Sequence, residues 1–236
     1  MGLSMFVPLW DMNQLKRVKF QYVTIGLITI NCLIYFIFET HLVLSSPASF
    51  VDALALKPRD VETMRAFVDH MPDQFRLVTY MFLHGSILHL LGNMIFLFVF
   101  GDNVEDALGH VRFFLFYVVC GVAAGVVHSI VTTSPDVPLI GASGAIAGVI
   151  GAYLMLHPNI RVWVLFQNPI IPFLPLRFSA GAVIGVWIAY QIICALYLTN
   201  HGTAWWAHIG GFFTGALLIV VMKRRGVPLF DSATGV

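Results

Sequence analysis

The chain has 236 residues, of which 58% are hydrophobic and only 11% are charged, and its mean hydropathy is +0.85. An ordinary soluble domain is about 25% charged, so this composition excludes a soluble globular enzyme. The net charge of +1 gives no basic surface for nucleic acid, and the three cysteines lie in apolar runs without the spacing of a disulfide framework or a zinc site.

Six stretches of the chain carry no formal charge and are 18 to 21 residues long. A helix needs about 17–25 apolar residues to span the hydrocarbon core of a bilayer. The stretches are continuously apolar rather than alternating, which is typical of helices and not of barrel strands. We therefore predict an all-α polytopic membrane protein with six transmembrane helices, at residues 20–38, 81–100, 113–131, 139–156, 178–198 and 204–222.

The basic residues between the predicted helices indicate the orientation of the chain. With the N-terminus inside, nine of the 13 lysines and arginines face the cytoplasm, and positively charged loops stay on that side. The prediction is a cytoplasmic N-terminal segment (1–19), a membrane domain (20–222) and a cytoplasmic basic tail (223–236). The N-terminal segment has neither a cleavage site nor an Arg- and Ser-rich presequence, which favours a bacterial plasma membrane.

Three connecting segments lie outside the predicted helices. The first outer loop, about residues 45–77, mixes apolar and charged residues, and this pattern fits either short amphipathic helices at the interface or a solvated connector. Four prolines in residues 157–177 predict that this stretch is largely non-helical. The residues from 226 onward are predicted to be disordered.

Ionisable side chains within a membrane are costly and are therefore candidates for function. His84, His89, His128 and His208 all fall inside the predicted helices. His89 and Asn93 are four residues apart and share one helix face. His128 has no partner in the pattern and is interpreted as a core histidine.

Two ribbons of small residues predict which helices touch. Small residues at every fourth position let helix backbones approach closely in lipid. Ser143 immediately precedes the first ribbon and His208 follows the first member of the second, so facing ribbons would bring the hydroxyl to the imidazole. The ribbons are Gly144, Gly148 and Ala152, and Ala207, Gly211 and Gly215.

A serine beside a histidine is the arrangement needed for acyl transfer. The hydroxyl becomes a nucleophile when the imidazole removes its proton, and the backbone N–H of Ser143 with the side chains of Asn93 and His89 would stabilise an oxyanion. No Asp or Glu lies inside a predicted helix to orient the histidine, so the prediction is a dyad. The G-x-S-x-G and H-E-x-x-H motifs are absent, which excludes an α/β-hydrolase and argues against a zinc protease.

Together these segments resemble the rhomboid family of intramembrane serine proteases. The resemblance runs from about residue 75 to residue 215. It is carried by Phe75-Arg76-Leu77-Val78-Thr79, Phe82-Leu83-His84, His89-Leu90-Leu91-Gly92-Asn93, Asp102-Asn103-Val104-Glu105-Asp106, Gly141-Ala142-Ser143-Gly144 and Ala207-His208-Ile209-Gly210-Gly211.

The resemblance implies a six-helix rhomboid-like bundle, no cofactor and no metal, and hydrolysis of peptide bonds in or beside the transmembrane segments of membrane proteins. It makes Ser143 the nucleophile, His208 the general base, and His89 and Asn93 the oxyanion donors, with His84, Gly141 and Gly144 in support. Two positions depart from the family pattern: Phe75 replaces a tryptophan, and Ala147 stands where some members place an aromatic ring on the histidine. Either another side chain, Trp205 or Trp206, fills that space, or the imidazole of His208 is less well ordered.

Two other functions are compatible with parts of the pattern. A catalytically silent relative would bind transmembrane helices as a chaperone or adaptor and capture substrate without cutting it. A transporter would use His84, His89 and His208 as a relay, but these groups gather in one half of the membrane, and no inverted repeat is visible.

Overall fold

The computed structural model describes residues 6–40, 47–63, 73–167, 172–198 and 203–231. The described helices are α1 (Tyr22–Ile34, continued by a π-helical turn, Tyr35–Glu39), α2 (Pro47–Leu54), α3 (Pro58–Thr63), α4 (Arg76–Thr79), α5 (Ile87–Leu108), α6 (His110–Val131), α7 (Ser143–Leu156), α8 (Ala180–Tyr197) and α9 (Trp205–Met222). The described strands are β1 (Phe6–Asp11), β2 (Arg161–Gln167) and β3 (Pro172–Ser179).

Five of the described helical segments are long and apolar enough to cross a membrane: Tyr22–Glu39 and helices α5, α6, α8 and α9. The sixth, α7, has only 14 residues and is almost entirely buried among the others. It is shorter than its predicted span because Leu139 pairs its backbone with Leu56 instead of joining the helix. The prediction of a polytopic bundle of six membrane helices is confirmed, and the chain is an integral membrane protein.

Helices α7 and α9 pack backbone to backbone through the two predicted ribbons. A Cβ atom on Gly211 would overlap the carbonyl oxygen of Gly144, and a Cβ atom on Gly215 would overlap that of Gly148. Such a close approach requires a residue without a Cβ atom at Gly211 and Gly215. The ribbons therefore face each other, as the spacing predicts.

One end of the bundle includes a small sheet that the sequence analysis did not predict. Strands β1, β2 and β3 form an antiparallel sheet in that order. Proline cannot donate to a strand ladder, and Pro8, Pro172 and Pro175 all lie on the two edge strands. Residues 157–177 are thus non-helical in their described part, as predicted, but they build a hairpin that pairs with the N-terminal segment.

The same end of the bundle holds buried carboxylates on α5. Helix α5 extends beyond its predicted end at residue 100, because backbone N–H groups donate hydrogen bonds to the carboxylates that follow that residue. Asp106 accepts hydrogen bonds from the backbone N–H groups of Lys16, Arg17 and Val18 at 2.6–3.2 Å. Glu105 accepts two from the first turn of α1 and a third from the Thr24 hydroxyl.

The prediction that the tail is disordered is wrong for residues 226–231. Residues 232–236 lie outside the described part of the chain. The backbone N–H groups of Phe230 and Asp231 donate to the carbonyls of Met155 and Leu156 at 2.8 Å each, because α7 leaves its last carbonyls unpaired. Of the first outer loop, residues 45–46 and 64–72 lie outside the described part. The remainder includes α2 and α3, with Leu56 between them buried.

Candidate active site

Ser143 is the first residue of α7, at the end of the bundle opposite the sheet. The chain enters this helix through Gly141, whose φ of +120° is accessible mainly to glycine. The backbone N–H of Gly141 donates to the carbonyl of Tyr80 at 2.9 Å. The turn is thereby fixed, and the half-buried Ser143 side chain stands at a helix N-terminus, where backbone N–H groups are unpaired.

His208 lies in the first turns of α9 and faces Ser143. Its Nε2 atom is 2.9 Å from the Oγ atom of Ser143, and the residue is only 3% exposed. The glycine contacts described above hold the two helix backbones close enough for this hydrogen bond. The hydroxyl and the imidazole that the sequence places beside the ribbons therefore meet.

A side chain that the sequence analysis missed contacts the other edge of the imidazole. The Oε1 atom of Gln191, on α8, is 2.7 Å from His208 Nδ1. Gln191 carries no charge, so a search of the predicted helices for charged or ionisable groups passes over it. A carboxamide in the middle of an apolar membrane helix is the signal that would have found it.

Two tryptophans flank the imidazole of His208. The ring centroids of Trp187 and Trp205 are 6.1 Å and 6.2 Å from that of the histidine. Trp205 is one of the two residues expected to replace the aromatic ring lacking at Ala147, whereas Trp187 was not expected. The ring of His208 is thus enclosed by aromatic surface without the residue four positions after the serine.

His89 and Asn93 approach the same turn from α5. A Cβ atom on Gly141 would lie 2.8 Å from His89 Nε2 and 3.9 Å from Asn93 Nδ2. Asn93 is fully buried, and its carboxamide has no hydrogen-bond partner within the described part of the chain. Two side chains that can donate hydrogen bonds therefore converge beside the turn that leads into Ser143.

His84 lies behind His89 rather than beside Ser143. Its ring packs edge-on against the ring of His89 at a centroid distance of 5.1 Å. Its backbone N–H donates to the carboxyl group of Glu39 at 2.7 Å. The ring of His84 thus contacts the ring of His89, and its supporting role stays a prediction.

No cluster of three or more His, Cys, Asp or Glu side chains suited to a metal ion occurs in the ranges that the structure describes. The geometry of the site is instead that of a hydroxyl, an imidazole and nearby neutral donors. This combination can perform acyl transfer, in which an alkoxide attacks a carbonyl and the oxyanion is held by hydrogen bonds.

Comparison with known proteins identifies the family. A Rhomboid domain model matches residues 72–225. The chain is 39% identical over 155 residues to the rhomboid protein YdcA of Bacillus subtilis (strain 168), an alignment that covers 64% of this chain and 70% of YdcA. RHOMBOID-like protein 1 of Arabidopsis thaliana is 31% identical over 160 residues, which cover 68% of this chain and 37% of that protein.

A relative that is named as inactive is also similar to the chain. Inactive rhomboid protein 1 of Drosophila melanogaster is 29% identical over 139 residues, which cover 54% of this chain and 10% of that protein. The chain spans less than half the length of the Arabidopsis relatives that it matches. The matched domain, the membrane helices and the site at Ser143 agree, and this chain belongs to the rhomboid family.

Proposed function

We propose that the chain is an intramembrane serine endopeptidase that cuts peptide bonds in or next to the transmembrane segments of membrane proteins. The observation that carries this proposal is the 2.9 Å contact between His208 Nε2 and Ser143 Oγ. In this arrangement His208 is the general base and Ser143 is the nucleophile. The dyad needs neither metal nor cofactor.

The first half of the reaction forms an acyl-enzyme. His208 Nε2 takes the hydroxyl proton as Ser143 Oγ attacks the carbonyl carbon of the peptide bond, and the carbonyl electron pair moves onto oxygen. The N–H of Ser143, with the side chains of Asn93 and His89, donates hydrogen bonds to this oxyanion. The carbonyl then re-forms, the C–N bond breaks, and His208 returns its proton to the departing amine.

The second half releases the acyl group. His208 removes a proton from water, the resulting hydroxide attacks the ester carbonyl, and the same donors hold the second oxyanion. The ester C–O bond breaks, and Ser143 Oγ recovers its proton from His208. Ser143 is half-buried at the end of a helix, a position that supports access of both water and an unwound stretch of substrate.

The orientation of the chain and its membrane are parts of the same proposal. Both termini face the cytoplasm, because nine of the 13 basic residues then lie on that side. The site then lies near the outer face of the membrane, which we assign to a bacterial plasma membrane. The partners are the lipid bilayer and single-span membrane proteins.

The relative named as inactive favours one alternative, a silent protein that binds transmembrane helices. Cleavage of a labelled single-span substrate by the purified chain in liposomes separates the two functions. We expect Ser143→Ala to abolish cleavage while the circular dichroism spectrum and thermal unfolding midpoint stay unchanged. Ser129→Ala is the matched control, since the hydroxyl of that buried serine donates to the carbonyl of Gly125 on its own helix.

Two results would reject the protease. One is cleavage by Ser143→Ala at the wild-type rate. The other is a wild-type chain that retains the substrate on purification but never cuts it, which would establish the helix-binding alternative.

A further inference from the structure

Helix α8 contributes a fully buried carboxamide to the site. Gln191 is 0% exposed, and its Oε1 atom lies 2.7 Å from His208 Nδ1, on the opposite edge of the ring from Ser143. Three side chains on three helices thus form one continuous hydrogen-bonded row. The row runs from Gln191 through His208 to Ser143.

Packing alone does not account for a glutamine at this position. Burial of a carboxamide in an apolar environment costs about 1–3 kcal/mol unless it is hydrogen-bonded. A leucine or methionine would fill a similar volume on α8 without that cost. The hydrogen bond to His208 offsets this cost, so the contact with the histidine gives a reason for a glutamine here that packing does not supply.

The direction of the hydrogen bond determines which ring nitrogen carries the proton. A carboxamide oxygen can only accept a hydrogen bond, so Nδ1 of His208 must donate. The neutral ring then has its lone pair on Nε2, which faces the Ser143 hydroxyl at 2.9 Å. This is the tautomer that a general base requires.

We infer that Gln191 is a positioning residue that fixes the tautomer and ring orientation of His208, so that the site is a Ser-His-Gln row rather than a dyad. The inference rests on the proposed function and deepens it. In soluble serine hydrolases a carboxylate orients the histidine. Within a membrane helix, a charge is far more costly to bury than an amide. The neutral oxygen still strengthens its bond to Nδ1–H when the ring becomes an imidazolium.

The test removes the acceptor without changing the volume. We expect Gln191→Met to lower kcat about 10- to 100-fold, because Nδ1 loses its acceptor and the ring then populates the wrong tautomer, with KM within twofold of wild type. Ile193→Met, an exposed position on the same helix, is the matched control and should keep the wild-type kcat. Gln191→Glu restores an acceptor and should recover part of the lost kcat.

A spectroscopic measurement on the unaltered chain tests the inference without any variant of Gln191. Long-range ¹H–¹⁵N spectra of ring-labelled histidine, with the His208 signals identified by their loss in His208→Asn, should show a proton on Nδ1 and none on Nε2. A proton on Nε2 in the folded wild type would overturn the inference. A wild-type kcat in Gln191→Met would also overturn it, while an inactive Ser143→Ala would leave the protease itself standing.

Discussion

The two ends of the helix bundle use polar side chains in opposite ways. Helices α5 and α7 begin at what we call the serine end, which contains Ser143, and they finish at what we call the carboxylate end, where Asp106 meets the N-terminal segment. At the carboxylate end, charged groups accept several hydrogen bonds each. At the serine end, the groups beside Ser143 are uncharged, and the buried carboxamide of Asn93 has no partner among the described residues.

This difference indicates that the polar groups at the carboxylate end stabilise the fold, whereas those at the serine end are available for catalysis. A buried charge that accepts several backbone N–H bonds is satisfied and holds the chain in place. A buried amide without a partner costs stability, and such departures from good packing are expected where a protein acts on another molecule. We therefore expect the loss of a polar side chain to reduce turnover at the serine end and to reduce stability at the carboxylate end.

The largest effect is expected where the packing of helices positions the chemistry. In Gly211→Ala the new methyl group collides with the carbonyl of Gly144, next to Ser143. We expect near-complete loss of cleavage and a loss of about 1–3 kcal/mol in the free energy of unfolding, the usual cost of overpacking. Both can be measured in detergent by substrate cleavage and denaturant titration.

The control for this substitution is Gly185→Ala on α8, where an added Cβ atom meets nothing within 4 Å. That variant should behave as wild type. Full activity in Gly211→Ala would mean that close contact between α7 and α9 is not what brings Ser143 to His208.

A change at Asn93 should affect turnover with little effect on the fold. Asn93→Ala removes a buried donor that has no partner in the described resting structure, so the loss falls on the oxyanion. We expect kcat to drop about 10²- to 10³-fold with KM nearly constant and no decrease in unfolding temperature. A drop in stability with kcat intact would make Asn93 a structural residue.

The opposite pattern is expected at Asp106. Asp106→Ala leaves three backbone N–H groups of residues 16–18 without their acceptor. Hydrogen bonds to a charged group contribute about 1.5–3 kcal/mol, so we expect a loss of that order in the free energy of unfolding. Cleavage below the unfolding transition should change less than twofold. A large loss of kcat would contradict the assignment of Asp106 to stability alone.

The smallest effect concerns the titration of Asp11 in β1. Burial raises the pKa of this carboxyl group from 3.8 to about 6, although the Tyr153 hydroxyl donates to it at 2.6 Å. The folded state therefore binds this proton more tightly than the unfolded state, and the contribution to stability declines as the pH rises from about 4 to about 6. Asp11→Asn should remove that decline.

The measurement is the difference in unfolding temperature between wild type and Asp11→Asn across pH 4–7. The subtraction cancels the contribution of His157 to stability, because that residue titrates in both chains. Burial lowers the pKa of His157 to about 4, so its contribution falls in the opposite direction, as the pH drops. A difference curve that is flat between pH 4 and pH 6 would show that Asp11 keeps an ordinary pKa.

The sequence predicts the helices and the meeting of Ser143 with His208 because both depend on local patterns. Apolar length defines a span, and small residues at every fourth position define a contact face. Gly211 and Gly215 lie opposite Gly144 and Gly148 for this reason. The roles assigned to these side chains in catalysis remain predictions.

The features that the sequence analysis missed all depend on contacts between distant segments. Strand β1 pairs with β2, more than 150 residues away, and nothing local in Phe6–Asp11 indicates a strand at that position. The predicted end of α5 is wrong because charged residues such as Glu105 and Asp106 usually mark the end of a membrane span. Here the backbone N–H groups of residues 16–24 donate hydrogen bonds to both carboxylates, and the helix continues. Gln191 is marked in the sequence only as a carboxamide in an apolar helix, and the group that it contacts is known only once α8 lies beside His208.

The proposed mechanism depends on activation of the Ser143 hydroxyl by the imidazole of His208. Intact-mass and peptide mass spectrometry after treatment with a fluorophosphonate probe tests it most directly. We expect one covalent adduct per wild-type chain, located on Ser143, and no adduct on His208→Ala. A folded wild-type chain without an adduct on Ser143, or equal labelling of His208→Ala, would contradict it.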